Sequence, residues 1–153
     1  MDQAVSYFLA HLPAYHRCLF LVQPQIGMLD NACKKISQDF GLPILDIGGQ
    51  ISSSLLEIQP SLRVRELPVR LSTLFQSHVP GSVICNKIDL LFEPSLEQNP
   101  LKLFLDNGRF LTLIVMWPGQ FANNVLSYAV PEHAHYRTWP KPDLCSYCIV
   151  NLS

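Results

Sequence analysis

Residues 18–30 read CLFLVQPQIGMLD, in which an apolar run leads directly into a helical pattern. Its first five residues are apolar and form a run of strand length. After a polar turn, apolar residues recur at helical spacing, and Gly41 followed by Pro43 is a helix-ending signal. The helically spaced residues are Met28, Ala32, Ile36 and Phe40, with Leu29 and Cys33 alongside. The stretch therefore predicts a buried strand, a short turn and an amphipathic helix.

The same alternation of strand and helix continues through the chain. Helical patterns, with Pro68 and Pro100 each placed in a first turn, separate the apolar runs. Because the core runs are continuously apolar, both faces of their sheet should be covered, which is typical of parallel sheets. We expect one α/β domain over residues 1–153, with three layers and a mostly parallel central sheet of about five strands. The further strand candidates are residues 43–47, 82–85, 111–116 and 125–130, and residues 145–150 alternate like a half-buried final strand.

Composition narrows the possible functions. Of the 153 residues, 48% are hydrophobic and 15% are charged, and the net charge is −1. A chain this apolar can build a full core, whereas a domain that binds nucleic acid by itself would be more basic. Soluble domains carry roughly 25% charged residues, so this surface is short of charge. The shortage indicates that a partner protein, or copies of the same chain, covers part of the surface.

The sequence predicts a cytoplasmic protein with no membrane association. No basic segment precedes the first apolar stretch, as a secretory signal would require. The longest charge-free run, residues 110–130, contains Pro118, Gly119 and the pair Asn123–Asn124, which would leave polar groups stranded in hydrocarbon. The five cysteines are odd in number and favour buried, reduced thiols over a disulfide framework.

A set of short motifs, taken together, indicates a family. In their order and spacing the chain resembles the BrxF family, the small P-loop proteins of type 3 bacteriophage-exclusion (BREX) systems, over roughly residues 15–140. The resemblance implies a P-loop NTPase-like domain whose phosphate-binding loop occupies residues 23–30. The motifs are LVQPQIGMLD (21–30), PILDI (43–47), IDLLFEP (88–94), NPL (99–101), WPG (117–119) and HYR (135–137).

The implied P-loop lacks the residues that bind phosphate. In an active loop, glycines let backbone N–H groups wrap the phosphates, a lysine neutralises them, and Ser or Thr binds Mg²⁺. Here Leu29 stands at the lysine position and Asp30 at the Ser/Thr position, while Lys34 and Lys35 lie a turn further on. Restoring Leu29→Lys and Asp30→Thr should therefore improve nucleotide binding if the loop keeps its course. The implied loop positions are Gln23, Pro24, Gln25, Ile26, Gly27, Met28, Leu29 and Asp30.

The second element of such a site, an apolar strand ending in an acid, is altered as well. The strand at residues 82–85 is followed by Asn86, which brings no negative charge to Mg²⁺. Asp89 matches a position that is acidic in the family, and it equally suits a helix cap or a surface carboxylate. We interpret the P-loop and this Walker B region as vestigial, with no catalytic residue, metal or cofactor assigned. ATP with Mg²⁺ is the less favoured alternative.

The resemblance implies a non-catalytic, pseudo-ATPase subunit of an anti-phage, BREX-like defence system, acting by protein–protein interaction. Its partners would be other subunits, with the system's large ATPase as one candidate, or further copies of itself, and it would contact DNA only indirectly. One alternative is an NTP-binding or weakly hydrolysing subunit with an unorthodox site. Another is a DNA-contacting accessory protein whose Arg63, Arg65 and Arg70 act inside an assembly.

Two histidines and two cysteines near the end of the sequence have competing interpretations. His133 and His135 with Cys145 and Cys148 offer two imidazoles and two thiolates, a set that could bind zinc. A final strand over residues 145–150 would instead point the two thiols to opposite faces of the sheet. The sequence leaves this question open.

The two tryptophans also allow two interpretations. Trp117 follows the fourth strand, where related NTPases keep a polar sensor residue, and its indole cannot sense a phosphate. It either packs its own loop or anchors a partner protein, and the same two interpretations apply to Trp139.

Overall fold

A parallel sheet between two layers of helices forms the body of the protein, in a computed structural model that describes residues 1–153. The helices are α1 (Asp2–Ala10), α2 (Ile26–Phe40), α3 (Ile47–Leu56), α4 (Arg63–Gln76) and α5 (Pro100–Asn107). The strands are β1 (Cys18–Val22), β2 (Ile44–Asp46), β3 (Ser82–Asn86), β4 (Thr112–Trp117), β5 (Gly119–Ala122), β6 (Val125–Tyr128), β7 (Arg137–Pro140) and β8 (Ile149–Asn151). Short 3-10 turns span Pro60–Leu62, Asp89–Phe92, Pro94–Leu96 and Ser146–Cys148.

The main sheet has five strands in the order β2-β3-β4-β1-β8, and every neighbouring pair is parallel. Successive residues of β1 point to opposite faces. Phe20 and Val22 join a core with α3, α4 and α5, whereas Leu19 and Leu21 join a second core with α1 and α2. The two cores explain the continuously apolar strands and confirm an α/β domain with a mostly parallel sheet covered on both faces.

Helix α2 follows the pattern expected from its spacing. Leu29, Ala32, Cys33 and Ile36 are buried against the sheet. The helix ends at Gly41, whose φ of 64° lies in the left-handed region that glycine tolerates and whose N–H donates to the carbonyl of Ser37. This confirms the predicted helix and its end.

The helices are too short or too polar to span a lipid bilayer.

Residues 125–128 form a strand, as predicted, but the expectation that it joins the main sheet is wrong. They form β6, the central strand of a separate antiparallel sheet with the order β5-β6-β7, and β8 takes the fifth place beside β1. The chain leaves the main sheet after β4, and a Cβ on Gly119 would come within 1.8 Å of the Ser127 carbonyl oxygen. Only glycine therefore permits this pairing. Asn123 and Asn124 have φ values of 52° and 58° and close the β5–β6 hairpin in two residues.

The final strand is shorter than the sequence predicts. It begins at Ile149, and the preceding 3-10 turn lets the Cys148 N–H donate to the Cys145 carbonyl at 3.0 Å. Burial, together with the charge and hydrogen bond of the neighbouring Cys145, raises the pKa of Cys148 to about 12. Neither cysteine lies in the strand, so the expected alternation of the two thiols across the sheet does not occur; Cys145 is exposed and Cys148 is buried.

Helix α4 starts five residues before Pro68, which the sequence places in a first turn. A proline inside a helix leaves the carbonyl four residues earlier without its usual donor. Here that carbonyl belongs to Val64, and the Gln98 side-chain amide donates to it at 2.8 Å. A long-range side-chain contact thus replaces the missing backbone bond, and local sequence gives no sign of it.

Candidate functional site

The carboxyl ends of β1, β2 and β3 gather the residues that the sequence singles out. In an open α/β sheet, ligands bind in the crevice at this edge. The turn after β1 leads into α2, and Asn86 ends β3 beside Asp46 at the end of β2. The geometry of these two places decides what the candidate site can do.

The turn between β1 and α2 has three residues, Gln23 to Gln25, because α2 already begins at Ile26. Gln23 is buried, and its side-chain amide donates to the carbonyl of Leu152 at 2.7 Å. Its side-chain oxygen accepts the backbone N–H of Gln25 at 3.0 Å. The backbone N–H of Gln25 is therefore already used inside the turn. A turn of three residues also leaves no wide loop that could wrap a phosphate.

Leu29, at the implied lysine position, faces the core. It is 3% exposed and packs in the cluster that includes Ile84 and Met116 of the sheet. Gly27 is exposed, and a Cβ added there would meet nothing within 4 Å, so no close contact requires a glycine. Neither position has the surroundings that a phosphate loop needs.

Asp30 and Asn86 lie together, joined by a hydrogen bond from the Asn86 amide to Asp30 Oδ1 at 3.2 Å. They line a cavity of about 230 Å³ with Lys34, Lys87 and Asp46, as well as Cys33 and Ile44. The charged side chains are two carboxylates and two ammonium groups. Burial, and then the charge of Asp30, raises the pKa of Cys33 to about 11.

The carboxylates of this cavity have limited freedom to bind a metal ion. Asp46 caps α3, because its Oδ1 accepts the backbone N–H of Gly49 at 2.8 Å. Asp30 is bonded to Asn86, and Lys34 and Lys87 line the same space. The protein contains no group of three or more His, Cys, Asp or Glu side chains placed to hold a metal ion.

Asp89 serves the second sheet. Its Oδ1 accepts the hydroxyl of Tyr128 at 2.8 Å, and the ring of Tyr128 stacks on Phe92 with 3.8 Å between centroids. Burial, and then the hydrogen bond to Asp89, raises the pKa of Tyr128. Asp89 lines a different cavity, of about 180 Å³, with Pro24 and His133. The structure therefore does not bring Asp89 and Asn86 into one cavity, and Asp89 fixes the small sheet to the loop after β3.

Trp117 packs its own loop. Its side chain is fully buried, and its indole N–H donates to the Ser127 carbonyl at 2.9 Å. It makes edge-to-face contacts with Phe92 and Trp139, at centroid distances of 5.0 and 5.3 Å. Trp139 is half-buried, and its indole donates to Asn99 at 3.1 Å. The aromatic cluster, which includes Tyr128, was missed in the sequence because its members come from four separate elements: β4, the 3-10 turn at Asp89–Phe92, β6 and β7.

The histidine and cysteine pairs are not assembled into one metal site. His133 accepts the backbone N–H of His135 at 3.0 Å, and both lie in the loop between β6 and β7. Cys145 and Cys148 line a cavity at the amino ends of β1 and β8, together with residues 12–16. The two pairs therefore belong to different regions of the molecule.

The arginines of the predicted basic cluster connect two helices. Arg63 donates to the carbonyl of Leu55 at 3.0 Å, and Arg70 donates to the hydroxyl of Ser54 at 3.1 Å. These contacts join α4 to α3, which leaves Arg65 as the exposed member of the cluster.

Comparisons with known proteins add no family or relative to this geometry. The chain matches no family model, and no curated protein or solved structure is significantly similar to it. Three features of the carboxyl edge bear on function. They are the closed three-residue turn, the buried Leu29 and the bond between Asp30 and Asn86.

Proposed function

We propose that the protein is a non-catalytic, P-loop-derived accessory subunit of a BREX-like anti-phage defence system and acts by binding other subunits. The observation that carries the proposal is the hydrogen bond between Asp30 and Asn86. It joins the two positions that the resemblance assigns to Mg²⁺ binding, and it engages the Asp30 carboxylate with the Asn86 amide.

The arrangement of the two positions supports a P-loop origin. In P-loop NTPases the Mg²⁺ is held jointly by the P-loop Ser or Thr and the Walker B acid, so these positions must be neighbours. Asp30 and Asn86 are 56 residues apart in sequence, and only 3.2 Å separates Asn86 Nδ2 from Asp30 Oδ1. The strand order differs from the Rossmann and flavodoxin orders. It places β4 between β1 and β3.

The side chains at this edge favour a non-catalytic role. Phosphoryl transfer depends on cations that neutralise the phosphates and on a loop that positions them. The implied lysine position is filled by buried Leu29, and Gln23 closes the turn with its own hydrogen bonds. A carboxylate at position 30, in the first turns of α2, would repel a phosphate placed there.

Binding to other proteins is supported by the surface. Only 15% of the residues are charged, and several large apolar side chains are largely exposed. Tyr15 is 78% exposed, Leu56 is 73% exposed and Phe110 is 62% exposed. Such side chains are common anchors in protein interfaces. The defence setting and the large ATPase as a partner rest on the resemblance of the motifs, and the cytoplasmic location rests on the five cysteines, which favour reduced thiols.

A weakly nucleotide-binding subunit is the second candidate, and one observation favours it. Lys34 and Lys87 line the cavity of Asp30 and Asn86 and offer two positive charges near the carboxyl edge. Their charges are balanced by Asp30 and Asp46 in the same cavity. We therefore place this candidate second.

Co-expression with the subunits of a type 3 BREX system tests the proposal. We expect the tagged protein to co-purify with at least one subunit, and to do so equally well with and without ATP and Mg²⁺. An Asp30→Ala variant serves as the control for the vestigial site and should retain the interaction. Failure to recover any subunit, together with a stable monomer in light scattering, would contradict the proposal.

A further inference from the structure

Apolar side chains are exposed at the end of the sheet opposite the vestigial site. Loops that precede parallel strands meet at one edge, which we call the amino edge and define by Tyr15, Val79 and Phe110. These residues precede β1, β3 and β4 and are 78%, 43% and 62% exposed. None of them contributes to the site at the carboxyl edge.

A small cavity opens beside Phe110. It has a volume of about 170 Å³ and lies between the end of α4 and the loop before β4. Phe75 and Leu111 are its buried apolar members, and Val79 and Phe110 are its exposed ones. The space fits one apolar side chain, the kind of anchor that dominates the energetics of many interfaces.

Two arginines without carboxylate partners lie close to Phe110, which lines this cavity. Arg17 donates from Nη2 to the carbonyl of Arg109 at 3.0 Å, which brings both residues next to Phe110. The ion pairs of the protein involve Lys35, Lys102 and His135 and no arginine. Guanidinium groups bind carboxylates in a bidentate fashion, so the pair can accept acidic side chains of a partner.

We propose that the amino edge around Phe110 is a docking surface for an acidic segment of a partner protein. The segment inserts one apolar side chain into the cavity and places carboxylates against Arg17 and Arg109. This inference rests on the proposed function and deepens it, because it names the surface and the chemistry of the partner. A protein segment fits better than DNA, since four of the seven residues that line the cavity are apolar and the net charge is −1.

Labelled peptides test this surface directly. One probe is an acidic peptide with a central phenylalanine, DEFED, and the other is its basic counterpart, KRFRK. Fluorescence polarisation measures the binding of each peptide at about 50 mM and about 300 mM salt. We expect saturable binding of the acidic peptide that weakens with salt. Arg109→Glu and Phe110→Ser should each weaken binding about tenfold. Arg65→Glu makes the same charge change at an exposed position of α4 and should leave binding unchanged.

Several results would overturn the inference. Unchanged binding in both variants, or a preference for the basic peptide, would remove the assigned chemistry. Tighter binding of a DNA duplex through Arg109 would assign the surface to nucleic acid. A dimer in light scattering that Phe110→Ser dissociates would make a second copy of the chain the occupant.

The same variants separate this inference from the proposed function. If the unmodified protein captures a BREX subunit and Phe110→Ser and Arg109→Glu capture it equally well, the surface is wrong and the proposed function stands. If the acidic peptide binds through Phe110 and Arg109 and no subunit is captured, the surface stands and the proposed function is wrong.

Discussion

Placing a lysine and a threonine at the implied P-loop positions, with Leu29→Lys and Asp30→Thr, should destabilise the protein without creating a nucleotide site. The motif alone predicts a gain of affinity, because the two changes supply the missing cation and hydroxyl. In the structure, however, Leu29 is 3% exposed and packs against the sheet. The new ammonium group must therefore leave the core and cannot reach a phosphate loop.

The expected loss of stability follows from the burial of Leu29. Removing a buried leucine side chain costs about 2–5 kcal/mol, and a lysine near a helix start can extend its charged end toward solvent. We take about 3 kcal/mol for Leu29→Lys, which lowers the melting temperature by about 6–12 °C for a chain of this size. Asp30→Thr alone loses the bond to Asn86 and should cost about 1 kcal/mol.

Urea denaturation followed by circular dichroism measures the stability, and isothermal titration with ATP and Mg²⁺ measures binding. The single Asp30→Thr variant is the matched control, because it adds the hydroxyl and leaves the core intact. A double variant that is as stable as the unmodified protein and binds ATP saturably would refute this reasoning. That result would mean that Leu29 lies in a phosphate loop.

Three other perturbations test separate parts of the structure. Asn86→Asp replaces the hydrogen bond to Asp30 by two facing carboxylates, and their repulsion raises the pKa of one of them. About 1–3 kcal/mol of stability should therefore be lost at pH 7 and recovered as the pH falls below about 4. Urea titrations measure this loss, with Asn86→Ala as the control. Gln98→Ala leaves the Val64 carbonyl inside α4 without a donor and should cost about 1–3 kcal/mol in the same assay. In the folded protein the pKa is raised to about 11 for Cys33 and to about 12 for Cys148. An unfolded thiol has a pKa of about 8.5, so above that pH the unfolded chain loses protons that the folded chain keeps. Stability should therefore fall as the pH rises from about 8.5 toward 11, and Cys33→Ala should reduce this dependence, whereas an unchanged slope would contradict the assignment.

Much of the fold can be predicted because its signals are local. The apolar run at residues 18–22 belongs to a strand covered on both faces, and Gly41 ends α2 as its left-handed φ requires. The second sheet could not be predicted in the same way. Residues 125–128 are apolar enough for either sheet, and the choice depends on the close approach of Gly119 to Ser127. Such a contact exists only once the strands have paired.

The candidate site was only partly predictable for a similar reason. Residues that follow parallel strands meet at one edge, so some proximity of Asp30 and Asn86 is expected from topology. The direction of Leu29 is set by the short turn before α2, which a motif alignment ignores. One signal was present in the sequence, because Leu29, Cys33 and Ile36 recur at the spacing of a buried helix face. Helical periodicity was therefore a better guide to Leu29 than the P-loop pattern.

Isothermal titration of the unmodified protein with ATP and Mg²⁺ measures whether the carboxyl edge of the sheet binds nucleotide. With buried Leu29, the closed turn at Gln23 and the bonded pair Asp30–Asn86, we expect no saturable heat at millimolar nucleotide and no release of phosphate. Thermal unfolding in the same solutions should show no shift, whereas a ligand at a hundredfold its dissociation constant would add about 2.7 kcal/mol. Saturable ATP binding that Lys34→Ala and Lys87→Ala abolish would contradict the account and favour a working nucleotide site.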